Sequence, residues 1–347
     1  MKTVAITRFA DPQTNDKGQI DVVDFPAPVV GPTDVLVKVA YASICGSDPH
    51  IIAIGKSIGW GTPFGLGHEV SGIVAELGSN ATVTGLKVGD RVTGNFFKAC
   101  GVCERCRNGQ PNMCVECFKG WNAAMAEYVL MDESQVFKLP DSVPLEEACL
   151  TEPLAISMRA IEKASIPLGG KVAISGGGSL GLMIVQLAKM AGASQVTIIE
   201  PVEEKLALAR SLGADYTINP RNTDVVAEAM RITGDAGFDS VIESSGAPAA
   251  TKPVMDILAI GGTAVFFAMY PTDYELPINL FGNLYWKEQT IRGFINAPFT
   301  DFGRVVQMLP RMSMKPLIHK VFAIDDAKAA FEAQSTGQYA KILIKVS

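Results

Sequence analysis

Hydrophobic residues follow one pattern along the first part of the chain and another after Pro167. In the first part, short apolar runs alternate with polar residues and end at proline or glycine, which is typical of half-buried antiparallel strands. The runs that fit this description are Val4–Ile6, Ile20–Val23, Val35–Val39, Val70–Leu77, Arg91–Asn95 and Ala126–Val136. This part is predicted to form a compact β-rich domain whose chemistry lies on loops.

After Pro167, short strand-like runs alternate with segments of helical periodicity. The predicted strands are Lys171–Ser175, Gln195–Ile199, Tyr216–Ile218, Ser240–Glu243, Thr263–Ala268 and Thr290–Phe294, and the predicted helices are Leu182–Ala191, Glu203–Leu212, Asp224–Thr233 and Ala249–Leu258. This alternation predicts a doubly wound parallel sheet, so the fold class is α/β. We expect a β-rich domain at residues 1–153 and the parallel-sheet domain at 154–294. Residues 295–347 are expected to return to the first domain.

Composition narrows the class of protein. The 347 residues suffice for two hydrophobic cores, and the net charge of −6 argues against a general nucleic-acid or acidic-membrane partner. The apolar stretches are interrupted too often for a membrane span. Seven cysteines, four of them at metal-binding spacing, indicate a reducing compartment. We therefore expect a cytoplasmic protein.

A cluster of possible metal ligands occupies residues 44–69. It contains Cys45, Asp48, His50, His68 and Glu69, in a chain with only three histidines. A thiolate, an imidazole and a carboxylate are ligands that a catalytic zinc takes when one position stays open for water or substrate. The alternative is a buried cysteine with two incidental histidines. The motifs that follow favour the zinc site.

Four cysteines with the spacing C-x2-C-x2-C-x7-C predict a second metal site, at Cys100, Cys103, Cys106 and Cys114. Four thiolates complete a tetrahedron around zinc and leave no position for substrate, so this zinc would be structural. An iron–sulfur cluster also takes four thiolates, but nothing else in the chain suggests electron transfer. Cys117 follows the fourth ligand and is interpreted as a spare thiol.

The glycine-rich segment Gly176–Gly181 follows a predicted strand and precedes a predicted helix. The pattern G-x-G-x-x-G in that setting is the dinucleotide-binding fingerprint, with glycines at Gly176, Gly178 and Gly181. Glycine there permits a tight turn, approach of the pyrophosphate, and packing of helix on strand. Glu200 ends the next strand, where a carboxylate binds the adenosine ribose and repels a 2′-phosphate. This favours NAD over NADP.

Glu152 is a carboxylate in mostly apolar company, within the predicted helical stretch Glu146–Leu154. A buried carboxylate requires a cation or hydrogen-bond donors. From the residues alone, a solvated or capping glutamate is an equal alternative. Cys149, in the same stretch, is interpreted as part of the core.

Taken in order, these motifs resemble those of the zinc-dependent medium-chain alcohol dehydrogenases over essentially the whole chain, and within them the polyol, sorbitol dehydrogenase-like branch. The resemblance is carried by Cys45–His50, Gly67–Glu69, the four-cysteine lobe at 96–117, Glu152–Leu154, and the Gly176–Gly181 loop with Glu200. It implies a GroES-like catalytic domain, a Rossmann domain that binds NAD, two zinc ions per chain, and a homodimer or homotetramer.

The resemblance also implies roles around the catalytic zinc. Cys45 and His68 correspond to zinc ligands. The third protein ligand is acidic and corresponds to Glu69 or Glu152, and the family uses both carboxylates around the metal. Asp48 corresponds to a carboxylate that orients His68, as metal-bound histidines usually require.

Further roles are implied for the substrate and the coenzyme. Ser47 corresponds to the hydroxyl that contacts the substrate oxygen, and His50 to the relay that passes its proton to solvent. Lys205 corresponds to a residue that holds the adenosine ribose, and Lys341 to one that reaches the pyrophosphate. Leu180 lies within the glycine-rich loop and is assigned to the coenzyme site with it.

The resemblance predicts hydride transfer between NAD(H) and a secondary alcohol or ketone, with a polyol or sugar alcohol as substrate. A dehydrogenase of a bulkier hydrophobic alcohol, such as a hydroxysteroid, is the alternative. It is motivated by aromatic residues that either line the substrate mouth or pack in the core, namely Trp60, Phe64, Phe96, Phe97 and Trp121. A non-catalytic cofactor-binding or structural relative is the alternative from a different class.

Overall fold

The computed structural model describes residues 1–11, 14–57, 59–117 and 123–347. Its strands are β1 (Lys2–Arg8), β2 (Gln19–Asp24), β3 (Asp34–Ser43), β4 (Phe64–Gly65), β5 (Glu69–Leu77), β6 (Arg91–Gly94), β7 (Tyr128–Asp132), β8 (Val136–Lys138), β9 (Lys171–Ser175), β10 (Gln195–Ile199), β11 (Tyr216–Ile218), β12 (Phe238–Glu243), β13 (Leu258–Phe266), β14 (Thr290–Gly293), β15 (Ile318–Ala323) and β16 (Lys341–Lys345). Its α-helices are α1 (Ser47–Ile54), α2 (Glu104–Arg107), α3 (Leu145–Ala148), α4 (Thr151–Ala164), α5 (Ser179–Met190), α6 (Glu203–Ser211), α7 (Val225–Thr233), α8 (Pro248–Thr251), α9 (Val254–Ile257), α10 (Phe299–Met308) and α11 (Ala327–Ser335). A π-helical segment spans Leu280–Trp286.

The chain divides into two compact units, one formed by Met1–Ala155 with Asn296–Ser347 and the other by Ile156–Ile295. The first unit contains a seven-stranded sheet in the order β15-β16-β3-β5-β6-β8, with β7 also paired to β3, and a three-stranded sheet in the order β2-β1-β4. Alternate residues of β3 point into the core, as the sequence pattern predicts for a half-buried strand.

The C-terminal segment supplies part of the first unit. β16 pairs antiparallel with β3, with Leu343 opposite Ser43. Helix α11 places Ala330 and Phe331 in the same apolar cluster as Val4 on β1. Residue 341, at the start of β16, is thereby brought beside the end of β3.

The second unit is built on a six-stranded sheet in the order β11-β10-β9-β12-β13-β14, in which every pair of strands is parallel. Strands β9 and β10 are buried along almost their whole length, as expected for a sheet covered on both faces. The chain leaves β9 toward β10 and β11, and then returns to place β12 on the other side of β9. The predicted doubly wound parallel sheet is confirmed, and its strand order reverses beside β9.

One predicted helix of this unit is wrong. The stretch Ala249–Leu258 forms two short helices, α8 and α9, and Leu258 already belongs to β13. Pro253 lies between the two helices and has no backbone N–H, so a continuous helix cannot pass through it without losing a hydrogen bond.

In the described part of the chain, no helix is both long and apolar enough to cross a lipid bilayer.

Candidate active site

The register of two neighbouring strands brings Cys45 and His68 together. β3 and β5 are antiparallel, with Ser43 opposite Glu69. Cys45 lies just past the end of β3 and His68 just before β5, so both leave the sheet at the same edge. The ligand atoms of Cys45, His68 and Glu69 all lie within 4.8 Å of one another.

These three side chains fit a zinc ion by the type and spacing of their donors. A thiolate, an imidazole and a carboxylate form a typical set for a catalytic zinc. Burial raises the pKa of the Cys45 thiol above its usual value, and the neighbouring Glu69 carboxylate raises this pKa further. A cation is therefore what the buried thiol requires in order to ionise.

Asp48 lies behind His68. It is completely buried on helix α1, and its Oδ1 is 3.7 Å from His68 Nδ1. Its Oδ2 accepts a hydrogen bond from the backbone N–H of Cys45 at 2.9 Å, which ties the two segments together. Burial raises the pKa of Asp48, while His68 and this backbone N–H oppose the rise. The 3.7 Å separation is that of a charge contact rather than a hydrogen bond, and a carboxylate beside the second ring nitrogen is what a metal-bound imidazole usually has.

Helix α1 also carries Ser47 and His50. The Ser47 hydroxyl oxygen is 3.5 Å from His68 Nε2, on the opposite side of the ring from Asp48. His50 lies on the same helix one turn further along and is half-buried. The aromatic ring of Phe96 packs against the imidazole of His68, with ring centroids 4.8 Å apart.

Lys341 has a different partner from the one that the resemblance implies. Its ammonium is buried and lies 2.6 Å from Glu69 Oε2, and it also donates to the backbone carbonyl of Ile44 at 3.0 Å. The Ser43 hydroxyl donates to the same Glu69 carboxylate. In the structure this side chain neutralises a buried carboxylate of the first unit, and its contact with the coenzyme pyrophosphate stays a prediction.

Glu152 is buried near the start of helix α4 and lies outside the close group of three ligands. Burial raises its pKa to about 7, the nearby imidazole of His68 opposes this rise, and the Glu69 carboxylate adds to it. Since Lys341 pairs with Glu69, the negative charge of Glu152 is the less compensated of the two. A metal ion beside it would supply the missing positive charge.

The four cysteines of the lobe lie around one point. The sulfur atoms of Cys100, Cys103, Cys106 and Cys114 are all within 4.8 Å of one another. Backbone N–H groups of Cys100 and Glu116 donate to Cys114 Sγ at 3.3 and 3.4 Å. Backbone N–H groups likewise lower the pKa of Cys103 to about 6. The lobe fits a tetrahedral structural zinc with no open position. Cys117 is buried and is not a member of this four-sulfur group.

Most of the aromatic residues noted in the sequence belong to the core. Trp60 stacks on Phe64, with ring centroids 4.5 Å apart, and both pack on the apolar cluster that contains Val4. Phe97 is buried within the cysteine lobe. Trp121 lies outside the described residues. Of the four that are described, Phe96 is the one with a ring contact to a candidate zinc ligand.

The glycine-rich loop connects β9 to helix α5 in the second unit. Gly176 has a φ of +102°, which favours glycine. A Cβ atom at Gly181 would lie 1.9 Å from the carbonyl oxygen of Gly176, so the helix can approach the strand this closely only with glycine there. Gly178 precedes the first residue of α5, and Leu180 lies in its first turn. The free N–H groups of this turn suit a pyrophosphate.

Glu200 follows β10 and is buried beside this loop. Its carboxylate accepts hydrogen bonds from the backbone N–H groups of Gly177 at 2.6 Å and Val202 at 3.1 Å. Lys205 is buried nearby on α6, where burial lowers its pKa and the Glu200 charge opposes the shift. These charges lie at the carboxyl edge of the sheet, where parallel sheets bind nucleotides.

Sequence reasoning did not single out Glu243, a buried carboxylate at the end of β12. It accepts hydrogen bonds from Ser245, Gly246 and Tyr270. The available signal was its place at the end of a predicted strand, which puts it on the ligand-binding edge of a parallel sheet. Ser43 was also missed, because nothing near it in the sequence indicates that it faces Glu69.

Together, the two sets of metal donors and the nucleotide-binding sheet define a zinc-binding dehydrogenase. Residues 31–141 match the alcohol dehydrogenase GroES-like domain, and residues 179–311 match the zinc-binding dehydrogenase domain. The chain belongs to the zinc-dependent medium-chain alcohol dehydrogenases, of the polyol type. The family and the two-part fold expected from the sequence are thereby confirmed.

Similar proteins support the same class of enzyme. The chain is 32% identical to L-threonine 3-dehydrogenase of Caldanaerobacter subterraneus over 93% of this chain and 94% of the relative. It is also 32% identical to the D-xylulose reductase A assigned in Aspergillus fumigatus, over 94% and 93% of the two chains. The structure of a zinc-binding dehydrogenase from Clostridium scindens is 39% identical and superposes with a TM-score of 0.92, covering 100% of this chain and 99% of that one. The chain is a zinc-binding dehydrogenase of the alcohol dehydrogenase family.

Proposed function

We propose that this enzyme interconverts a polyol or sugar alcohol and the corresponding ketone. The observation that carries the proposal is the group of half-buried Cys45 with buried His68 and Glu69, whose donor atoms lie within 4.8 Å of one another. The relatives named for a ketose and for a hydroxy amino acid are consistent with a small substrate that carries several polar groups.

We propose that Cys45 and His68 hold the catalytic zinc together with a carboxylate. Glu69 is favoured by its distance to the other two donors, and Glu152 by its less compensated charge. The zinc content of the variants Glu69→Gln and Glu152→Gln distinguishes the two carboxylates. The variant that lacks the direct ligand should lose the catalytic zinc. The four cysteines of the lobe would hold the structural zinc.

Bound zinc supplies Lewis acidity that lowers the pKa of an alcohol oxygen. The chain supplies what surrounds that oxygen. Asp48, whose Oδ1 is 3.7 Å from His68 Nδ1, is the proposed carboxylate that orients this ring. The Ser47 hydroxyl, 3.5 Å from His68 Nε2, is the proposed first acceptor of the alcohol proton. His50, one turn further along α1, is the proposed acceptor that passes this proton to solvent. NAD held at the Gly176–Gly181 loop and Glu200 would be the hydride acceptor.

The core packing of Trp60, Phe64 and Phe97 removes most of the reason to expect a bulky hydrophobic substrate. Phe96 remains, and one ring beside His68 is compatible with a small polyol. The complete zinc donor set argues against a non-catalytic relative, since a protein that had lost catalysis would not need it.

We propose that residues 1–153 with 295–347 act as the catalytic domain and 154–294 as the NAD-binding domain.

A homo-oligomer is supported by an exposed aromatic face on the π-helical segment, where Phe281, Tyr285 and Trp286 are 66%, 72% and 71% exposed. This face is continuous in sequence with β14, the edge strand of the parallel sheet. Sedimentation velocity of Trp286→Ser tests it, with a shift toward monomer expected. None of the seven cysteines, all of which lie in the described residues, forms a disulfide, which supports a cytoplasmic location.

The test of the proposed function is a panel of alcohols and ketones followed by NADH absorbance. It should include pentitols, hexitols, vicinal diols, L-threonine and a hydroxysteroid. We expect the highest kcat/KM with a polyol or its ketose. A preference for the steroid would establish the bulky-alcohol alternative, and inactivity toward every member by a zinc-replete, NADH-binding protein would favour the non-catalytic one.

A further inference from the structure

The second unit contains a serine hydroxyl that the proposed reaction does not use and that lies against the glycine-rich loop. Ser244 is half-buried and directly follows β12, and Ser175 ends the neighbouring strand β9 and directly precedes the loop. The backbone N–H of Ser244 donates to the Ser175 carbonyl at 2.9 Å. This bond continues the pairing of β12 with β9 and brings the Ser244 side chain to the start of the loop.

The Ser244 hydroxyl contacts the first peptide unit of the loop. Its single proton is shared between the carbonyl oxygens of Ser175 at 2.9 Å and Gly176 at 3.3 Å. Among the described residues, this hydroxyl is the one hydrogen-bond donor to the Gly176 carbonyl. The N–H of the same peptide unit, that of Gly177, donates to the Glu200 carboxylate at 2.6 Å. Because a peptide unit is planar, the two contacts fix its orientation from both ends.

The Ser244 oxygen also lies beside the first and third glycines of the fingerprint. A Cβ atom at Gly176 would be 3.0 Å from this oxygen, and one at Gly181 would be 3.3 Å from it. The end of strand β9, the start of helix α5 and the Ser244 side chain therefore meet at one point. The turn that joins this strand to this helix is anchored there.

The turn depends on such contacts because of its composition. Residues 176–178 are three consecutive glycines, and glycine restricts the backbone less than any other residue. A pyrophosphate binds to backbone N–H groups, whose directions are set by the peptide units of the turn. Contacts from Ser244 on one side and Glu200 on the other therefore determine how often the turn adopts its binding conformation.

We propose that Ser244 is a positioning residue for the pyrophosphate of the bound dinucleotide, which it serves by holding the Gly176 carbonyl and the three-glycine turn in the conformation that binds phosphate. The proposal rests on a dinucleotide at this loop and is independent of the alcohol that the enzyme oxidises. When the hydroxyl is absent, the fraction of protein with the turn in its binding conformation falls. The apparent dissociation constant of the dinucleotide rises by the same factor.

The test is Ser244→Ala in the zinc-replete enzyme, titrated with NADH, ADP-ribose and adenosine. Loss of one hydrogen bond predicts an increase of about fivefold in the dissociation constants of NADH and ADP-ribose, equal for the two because both carry the pyrophosphate. Adenosine has no phosphate, and Val202 also holds Glu200, so adenosine affinity should stay within about twofold. KM for NAD should rise by a factor similar to that for NADH binding while kcat changes little.

Ser240→Ala is the matched control. Ser240 lies on β12, is completely buried, and its hydroxyl also donates to a backbone carbonyl, that of Ala164, at 3.0 Å. This variant loses the same kind of bond from the same strand and should bind NADH like the wild type. Hydrogen exchange without coenzyme gives a second readout, because residues 176–181 should exchange faster in Ser244→Ala and at the wild-type rate in Ser240→Ala.

Ser244→Thr retains the hydroxyl and should restore most of the NADH affinity that Ser244→Ala loses. The proposal would be overturned by unchanged NADH affinity in Ser244→Ala, by an equal loss in Ser240→Ala, or by a Ser244→Thr variant no better than Ser244→Ala. A loss for NADH that ADP-ribose does not share, or that adenosine shares in full, would overturn it as well. Failure of the wild-type protein to bind NADH would overturn both the proposal and the assigned coenzyme.

Discussion

Lys341→Met removes the cation that lies against Glu69 and leaves the length of the side chain nearly unchanged. Glu69 is completely buried, and its two carboxylate oxygens lie 2.8 and 2.6 Å from the Lys341 ammonium. Without that ammonium, the carboxylate keeps the Ser43 hydroxyl as a donor, and the carbonyl of Ile44 loses the Lys341 donor. In protein from which zinc has been removed, so that no other cation lies beside Glu69, the substitution therefore leaves a buried charge without its counter-ion.

Breaking a buried ion pair by removing one partner costs about 3–5 kcal/mol in the free energy of unfolding. For a unit of this size, each kcal/mol lowers the melting temperature by about 2–4 °C. We therefore expect Lys341→Met to melt roughly 10 °C or more below the wild type in scanning calorimetry. Lys341→Met/Glu69→Gln should recover part of this loss, because it no longer buries an unpaired charge.

The matched control is Lys2→Met, which removes a lysine from an exposed pair with Asp325. Exposed pairs contribute little, so this variant should melt within about 2 °C of the wild type. The reasoning would be refuted if Lys341→Met melted like Lys2→Met. If Lys341→Met kept its stability but lost NADH affinity, Lys341 would act on the coenzyme pyrophosphate, as the resemblance implied.

Three further variants test other parts of the account. Cys103→Ser should lower the zinc content from two ions per chain to one and reduce the melting temperature, while the folded variant keeps its catalytic rate. Unchanged zinc content by atomic absorption would contradict a zinc site in the lobe. Glu200→Ala should raise the ratio of kcat/KM for NADP to that for NAD by about tenfold, because the carboxylate that repels a 2′-phosphate is gone; an unchanged ratio would remove Glu200 from the ribose site. Burial alone would raise the pKa of Asp132, but hydrogen bonds from Lys98 and other donors outweigh it and lower this pKa from 3.8 to about 2. The ionised carboxylate therefore stabilises the fold above pH 4, and Asp132→Asn should lower the free energy of unfolding by about 1 kcal/mol at pH 7. That difference should shrink in urea titrations as the pH falls from 4 toward 2, and a constant difference would contradict it.

The sequence predicted the parallel sheet well because its strands are compact apolar runs bounded by glycine, proline or polar residues. The bounds of β9, β10 and β11 were predicted to the residue. Helix α1 was missed because its segment was interpreted for its ligands and contains Pro49, which lowers helical propensity. Strand β15 was missed because it lies at a sheet edge and is largely exposed, so it shows no regular alternation of apolar residues.

The candidate site was predictable where its residues are close in sequence. Cys45 and His68 meet through one strand pair, and the cysteine lobe is a local motif. Lys341 and Glu69 are 272 residues apart, and no local pattern indicates that β16 places the lysine beside β3. The contact between Glu243 and Tyr270 likewise depends on how two loops fold at the end of the sheet.

The central claim is that a metal ion held by Cys45 and His68 is required for turnover. The direct measurement is zinc content and alcohol oxidation on the same samples, before and after a chelator removes zinc and again after zinc is restored. We expect activity to fall below about one hundredth of the starting rate as the catalytic ion leaves, and to return with zinc. Full turnover by a zinc-free enzyme that still binds NADH would contradict the account.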